Sequence, residues 1–198
     1  MAANDAIALL KADHKEVAEM LEKFETARST KEKLAQQICL SLTIHAQIEE
    51  EIFYPAAREA LGEEGGDLLD EAKVEHNSLK ELIGHIEGSS PEDELFDAHV
   101  KVLGEYVKHH VKEEENELFP KLKKTDLDLK DMGAQLFDRK MQLMQEMGIE
   151  MDMEEEHRAM PRKRATGRSG RTTASKARQA RAGSARKSAS RSGRAARH

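Results

Sequence analysis

HAQIEEEIFYP, residues 45–55, decides the reading of this chain, because it returns as HVKEEENELFP at residues 110–120. In both copies a His is followed four residues on by a Glu, Glu49 and Glu114, then by further carboxylates, a Phe and a Pro. Four residues make about one helical turn, so on a helix each His and its Glu share a face within roughly 6 Å. Each copy can offer one imidazole nitrogen and one carboxylate to the same point.

The repeat extends upstream. DHKEVAEML carries His14 and EHNSLKELI carries His76, each an acid, a His, three residues and an apolar run. The spacings from His14 to His45 and from His76 to His110 are similar, so the chain divides into two helix pairs, each giving a lone His from its first helix and a His–Glu pair from its second.

Composition bounds the class. Charged residues are 35% and aromatics 4%, with no Trp, which suits a helical bundle of Leu, Ile, Val, Ala and Met better than a sandwich or barrel. No run approaches the roughly eighteen apolar residues of a membrane span. Asp5, Asp13, Glu16 and Glu19 interrupt any signal-peptide pattern in the first thirty residues, which predicts a cytoplasmic protein. The one cysteine, Cys39, has no partner in the chain and reads as a small core residue, with a redox or intermolecular role as the alternative.

In order, the first helix is predicted from Asn4 or Asp5 as N-cap to about Ala27, with Ile7, Leu10, Val17, Leu21 and Phe24 stepping by three and four and His14 filling the gap. Alone, His14 would read as a satisfied core histidine. Thr30 can cap a second helix with Leu34, Ile38, Leu42, His45, Glu49 and Ile52 on its inner side, ending near Pro55 or beyond. A buried, ionised Glu needs a partner, and a metal ion is one. Glu50 and Glu51 rotate off this stripe and read as a solvated face, with either able to replace Glu49 if the helix turned. After a glycine linker at 62–66, a third helix from Asp67 carries Leu69, Ala72, His76, Leu79, Ile83 and Ile86. Ser90 with Pro91, Glu92 and Asp93 signals the start of a fourth, whose inner side is Phe96, His99, Leu103, Tyr106, His110, Glu114 and Leu118. A fifth amphipathic helix is predicted from residue 126 to about 148, with Leu129, Met132, Leu136, Leu143 and Met147 inward.

Four helices that each turn one His inward, two of them adding a Glu one turn on, gather four imidazoles and two carboxylates in a bundle core. Such a set suits a pair of iron or manganese ions. Separate core histidines would not explain why all four share the inward register.

Over roughly residues 6–121 the sequence resembles the haemerythrin-like, or HHE cation-binding, family. The motifs are the DH near the start, H-x-x-x-E-E followed by F-Y-P, the EH of the third helix, and H-x-x-x-E-E followed by F-P. The resemblance implies an all-α, up-down-up-down four-helix bundle holding a non-haem di-iron centre, oxo- or hydroxo-bridged, with manganese as the alternative metal. Carried over, His14 and His45 would hold one iron, His76 and His110 the other, and Glu49 and Glu114 would bridge them. An octahedral iron would then keep one position free, where dioxygen, nitric oxide or peroxide could bind. No convincing fifth histidine is present, which argues against simple reversible oxygen transport. His109 faces about 100° away from His110, and His99 lies three turns along the stripe. Tyr106, one turn before His110, is a candidate hydrogen-bond donor beside the metals or a packing residue, and His85, His109 and His157 read as surface.

The chain beyond is a different physical object. After Pro161 there is no acid, and Arg162, Lys163, Arg164, Arg168, Arg171, Lys176, Arg178, Arg181, Arg186, Lys187, Arg191, Arg194 and Arg197 are basic, leaving 19 basic against 38 acidic residues before it. Without Leu, Ile, Val or aromatics this stretch cannot form a core and is expected to be disordered when free. It resembles the tails of histone-like bacterial DNA-binding proteins. Its partner could be nucleic acid, bound with steep salt dependence; the acidic body; or anionic lipid. The expected organisation is a bundle at 1–124, an additional helix and acidic linker at 125–160, and a basic tail at 161–198. Three functions follow: a di-iron protein, cytoplasmic or nucleoid-associated, that binds or senses dioxygen, nitric oxide or peroxide; a di-iron enzyme that turns over peroxide or nitric oxide; or a DNA-associated protein that sequesters iron under stress.

Overall fold

The structure is a computed structural model and describes residues 5–148. The expectations for the acidic linker, His157 and the basic tail fall outside the described residues. Within them the elements are α1 (Ala6–Thr26), α2 (Lys31–Ile48), a π turn (Glu49–Phe53), α3 (Tyr54–Leu61), a 3-10 turn (Gly62–Gly65), α4 (Gly66–Glu87), α5 (Phe96–Glu113), a second π turn (Glu114–Leu118), α6 (Phe119–Leu122) and α7 (Leu129–Glu146). The first π turn joins α2 to α3 without a break, and the second joins α5 to α6. The result is an up-down-up-down four-helix bundle with α7 packed along α1 and α2.

The apolar spacing explains the packing. On α4 the six expected inward residues, Leu69, Ala72, His76, Leu79, Ile83 and Ile86, are the buried ones. On α1 the buried face also takes in Met20 and, on the side that α7 covers, Leu9 and Asp13. The carboxylate of Asp5 accepts the N–H of Ala8 at 2.8 Å, satisfying one of the helix's unpaired N-terminal donors. Gly62 ends α3 at φ 57°, a conformation that glycine adopts without steric cost. On α7, Met132, Leu136 and Leu143 join a core with Leu9, Leu10, Ile44 and Ile48, whereas Met147 is 41% exposed and lies off the expected stripe.

Two apolar layers result. One contains Ile7, Leu10, Ile48, Phe53, Phe119 and Leu122; the other contains Val17, Phe24, Ile38, Leu42, Leu79, Phe96 and Leu103. The four inward histidines lie in register between them.

Two expectations about elements need correction. The fourth helix begins at Phe96, not at Ser90. Ser90 N–H does bond the Asp93 carboxylate at 2.8 Å, but it closes a turn. Residues 91–95 offer only Leu95 as an aliphatic side chain, and it stays 60% exposed, so no buried stripe holds a helix until Phe96 packs on Phe24. The π turns were also not expected. In them the N–H of Tyr54 bonds Glu49 O and the N–H of Phe119 bonds Glu114 O, five residues back. Pro55 and Pro120 follow directly. A proline ring clashes with the carbonyl four residues earlier in a regular helix, and a widened turn relieves that clash.

Candidate metal centre

The six residues singled out in the sequence converge. His14, His45, Glu49, His76, His110 and Glu114 are all at most 6% exposed. Donor atoms of His14, His45, Glu49 and Glu114 lie within 4.8 Å of one another, and so do those of Glu49, His76 and His110. His14 Nε2 and His45 Nε2 are 3.1 Å apart, as are His76 Nε2 and His110 Nε2. Glu49 Oε2 reaches His45 Nε2 at 3.3 Å and His76 Nε2 at 3.5 Å. Glu114 Oε2 reaches His14 Nε2 at 3.2 Å and His110 Nε2 at 3.7 Å. Each Glu therefore spans both histidine pairs.

The outer ring nitrogens explain why Nε2 points inward. His14 Nδ1 lies 3.1 Å from Glu115, His45 Nδ1 3.5 Å from Asp13, His76 Nδ1 2.9 Å from Glu50, and His110 Nδ1 2.8 Å from Glu75. A carboxylate at Nδ1 holds a proton there and turns Nε2 to the centre as the nitrogen a metal would take. The pairing is cyclic: the acid beside a central residue on one helix holds the histidine of the next. Adjacent residues point about 100° apart around a helix, so such an acid faces the neighbouring helix. Glu50 is thus half-buried against His76 and Lys80, not a solvated residue as expected. Glu51 is exposed and pairs with Arg139 of α7 at 2.6 Å. Sequence reasoning missed these four acids as a set, although each sits directly beside a central residue in DH, EE, EH and EE.

Tyr106 is corrected. The buried residues of α5 are Phe96, Val100, Leu103, Val107 and His110, a stripe whose centre is rotated away from Tyr106, which is 48% exposed. The tyrosine at the cluster is Tyr54. Its hydroxyl donates to Glu114 Oε1 at 3.0 Å and lies 3.2 Å from His76 Nε2 and 3.5 Å from Glu49 Oε2. The π turn puts it there: five residues on a regular helix would carry Tyr54 roughly 140° from Glu49. Its repeat counterpart is Phe119, whose ring stacks on His14 with centroids 6.0 Å apart. His99 stacks on His85 outside the cluster, His85 and His109 are exposed, and Cys39 is buried with its thiol pushed up to about 12 by burial.

The charges show what the cluster attracts. Burial opposes charge on His45, yet Glu49 and Asp13 outweigh it and raise its pKa to about 10. His110 is raised in the same way, against its own burial, by Glu75 and Glu114. Glu49 is held below the usual carboxylate range, with burial outweighed by His45, His76 and His110. Glu49 thus favours positive charge on the histidines around it, whereas burial outweighs that pull at His76, which is lowered. Glu49 Oε1 and Glu114 Oε2 are buried without a hydrogen-bond donor. Four inward Nε2 atoms and two carboxylates with orphaned oxygens fit cations better than any protein partner. Beside the histidines lies a cavity of about 20 Å³ walled by Val17, Leu42, Leu79, Val107 and Val111.

The model of the hemerythrin HHE cation-binding domain matches residues 5–122. The chain belongs to this family. A crystal structure of a hemerythrin HHE cation-binding domain-containing protein from Mycobacterium kansasii superposes with a TM-score of 0.62 at 21% identity, covering 72% of this chain and 89% of that one, a likeness of fold. A protein named DNA nickase from Nostoc sp. is 40% identical over 83 residues, which is 42% of this chain and 23% of the relative. The HHE chain thus spans about a quarter of that relative's length. Among the described residues no helix is long and apolar enough to cross a membrane.

Proposed function

We propose that this HHE protein holds a pair of iron ions between its helices and binds a diatomic ligand, dioxygen or nitric oxide, beside them. His14 and His45 would hold one ion, His76 and His110 the other, and Glu49 and Glu114 would be shared. The observation that carries this reading is the meeting of four inward Nε2 atoms with two carboxylates, each within reach of both histidine pairs. When bound, the pair supplies one-electron redox chemistry and an open coordination position.

The chain's own residues do the rest. Asp13, Glu50, Glu75 and Glu115 fix the imidazole tautomers, and Tyr54 offers a hydroxyl at the His76–His110 half. The apolar layers exclude bulk water. A cavity of about 20 Å³ has room for about one water-sized molecule, which favours a diatomic over an organic substrate. Anaerobic titration of the iron-loaded, reduced protein with nitric oxide and then dioxygen tests the reading. An optical change that saturates with each gas, without continued consumption, is expected. Steady consumption of peroxide or nitric oxide would instead establish the enzyme reading.

A second reading has its own support. The basic stretch from Pro161 is compatible with nucleic-acid binding, and the relative named DNA nickase shares part of this HHE chain. The matched region is a minor part of that relative, whose name describes that protein and not this chain. Salt-dependent DNA binding that is lost in a chain ending before Pro161 is the expected result, with a log–log salt slope of several units. Equal binding by the shortened chain would remove this reading.

A further inference from the structure

Each of the four acids that hold a central histidine is itself held from outside, and the fourth differs from the other three. Asp13 is met by Lys140 at 2.6 Å, Glu50 by Lys80 at 2.6 Å, and Glu115 by Lys11 at 2.6 Å. Glu75 holds His110 Nδ1 through Oε2, but its Oε1 faces outward to His109 Nε2 at 3.3 Å. His109 Nε2 also lies 3.2 Å from Glu113 Oε1. Glu71, one turn before Glu75, completes the group: donor atoms of Glu71, His109 and Glu113 lie within 4.8 Å of one another. Among the described residues no Lys or Arg pairs with Glu71, Glu75 or Glu113. Where three arms end in an ammonium, this arm ends in an imidazole among carboxylates.

We propose that Glu71, His109 and Glu113 form a surface site for a divalent cation, coupled through Glu75 to the buried cluster and serving as its loading port. The donor set suits this role. One imidazole and two carboxylates bind divalent first-row ions, and the side chains are exposed enough to close the present spread of 4.8 Å to a coordination sphere. A cation there would replace the missing lysine as the counter-charge of Glu75. An unneutralised acidic patch also draws cations from solution and raises their local concentration. The other three arms, closed by lysines, repel a cation, so this arm is the electrostatically open one. The loading role rests on the metal-centre reading; the surface site does not.

The test uses the full-length, metal-free protein titrated anaerobically with Mn²⁺, with bound ion followed by electron paramagnetic resonance and uptake by stopped flow. The wild type is compared with a Glu71→Gln/His109→Gln variant, which leaves every central residue and Glu75 in place. Two classes of bound Mn²⁺ are expected in the wild type, a tight buried class and a weaker exposed one. The variant should lose the weaker class, keep the tight one in full, and load it more slowly by on the order of tenfold. Identical occupancy and rate in the two proteins would overturn the proposal. Loss of the weaker class with unchanged loading would overturn the port while leaving the cation site. A wild type with only the weaker class, lost in the variant, would contradict the metal-centre reading, and with it the port, but not the surface site.

Discussion

Single residues set the balance between protons and metal in the core. His45 is raised from 6.5 to about 10 because Glu49 and Asp13 outweigh its burial. In the metal-free chain that proton stabilises the fold fully below about pH 6.5, and the contribution is lost as pH rises through about 10. Metal must displace the same proton, so its affinity runs the other way. Urea unfolding under chelator should therefore show a midpoint that falls between pH 6.5 and about 10, while metal affinity over the same range rises. A midpoint that climbs with pH would mean that His45 is neutral in the metal-free fold. Tyr54 permits a second prediction. Its hydroxyl is the hydrogen-bond donor to Glu114 Oε1, whose other oxygen is already orphaned. Tyr54→Phe should destabilise the metal-free protein by about 1–3 kcal/mol, the cost of a buried acceptor left unpaired, and the metal-loaded protein by less. The six central residues were legible because the His and Glu positions repeat at fixed spacing. The role of Tyr54 was not, because five residues from Glu49 is the wrong side of a regular helix.

At the scale of elements, the two π turns do what regular helices could not. They occur at the repeated E-E-x-x-F/L-Y/F-P segments, where a proline cannot follow an undistorted turn, and they bring Tyr54 and Phe119 to opposite halves of the cluster. Pro55→Ala removes the steric reason for the first turn. The variant should keep its helical circular dichroism while metal affinity falls by about tenfold, the equivalent of 1.4 kcal/mol, as Tyr54 swings from the site. Unchanged affinity would show that packing, not proline, holds the turn. Helix existence and inward faces followed from three-four spacing, most fully on α4. The start of α5 did not, because Ser90 and Asp93 read as a cap but close a turn, and the residues that follow have no apolar face to bury. The cyclic set of Asp13, Glu50, Glu75 and Glu115 was hidden for a related reason: each acts on a different helix from its neighbour in sequence.

For the whole molecule, the bundle places a charged cluster between two apolar layers and clamps it from outside with α7. Lys140 of α7 holds Asp13, which holds His45, and Arg139 holds Glu51. The added helix is therefore part of the site's support as well as of the core. Leu136 is fully buried at that seam, and Leu136→Ala should cost about 2–5 kcal/mol in chemical denaturation. A loss within experimental scatter would show that α7 is dispensable to the bundle. The whole fold serves the pair of metal ions proposed at its centre, and metal content of the aerobically purified full-length protein, measured beside a His45→Ala/His110→Ala variant, tests for them. About two irons per chain are expected, as a di-carboxylate, four-histidine bundle site would hold, and their loss in the variant. A folded wild-type protein that contains no metal and takes up neither ferrous iron nor manganese anaerobically would contradict this expectation.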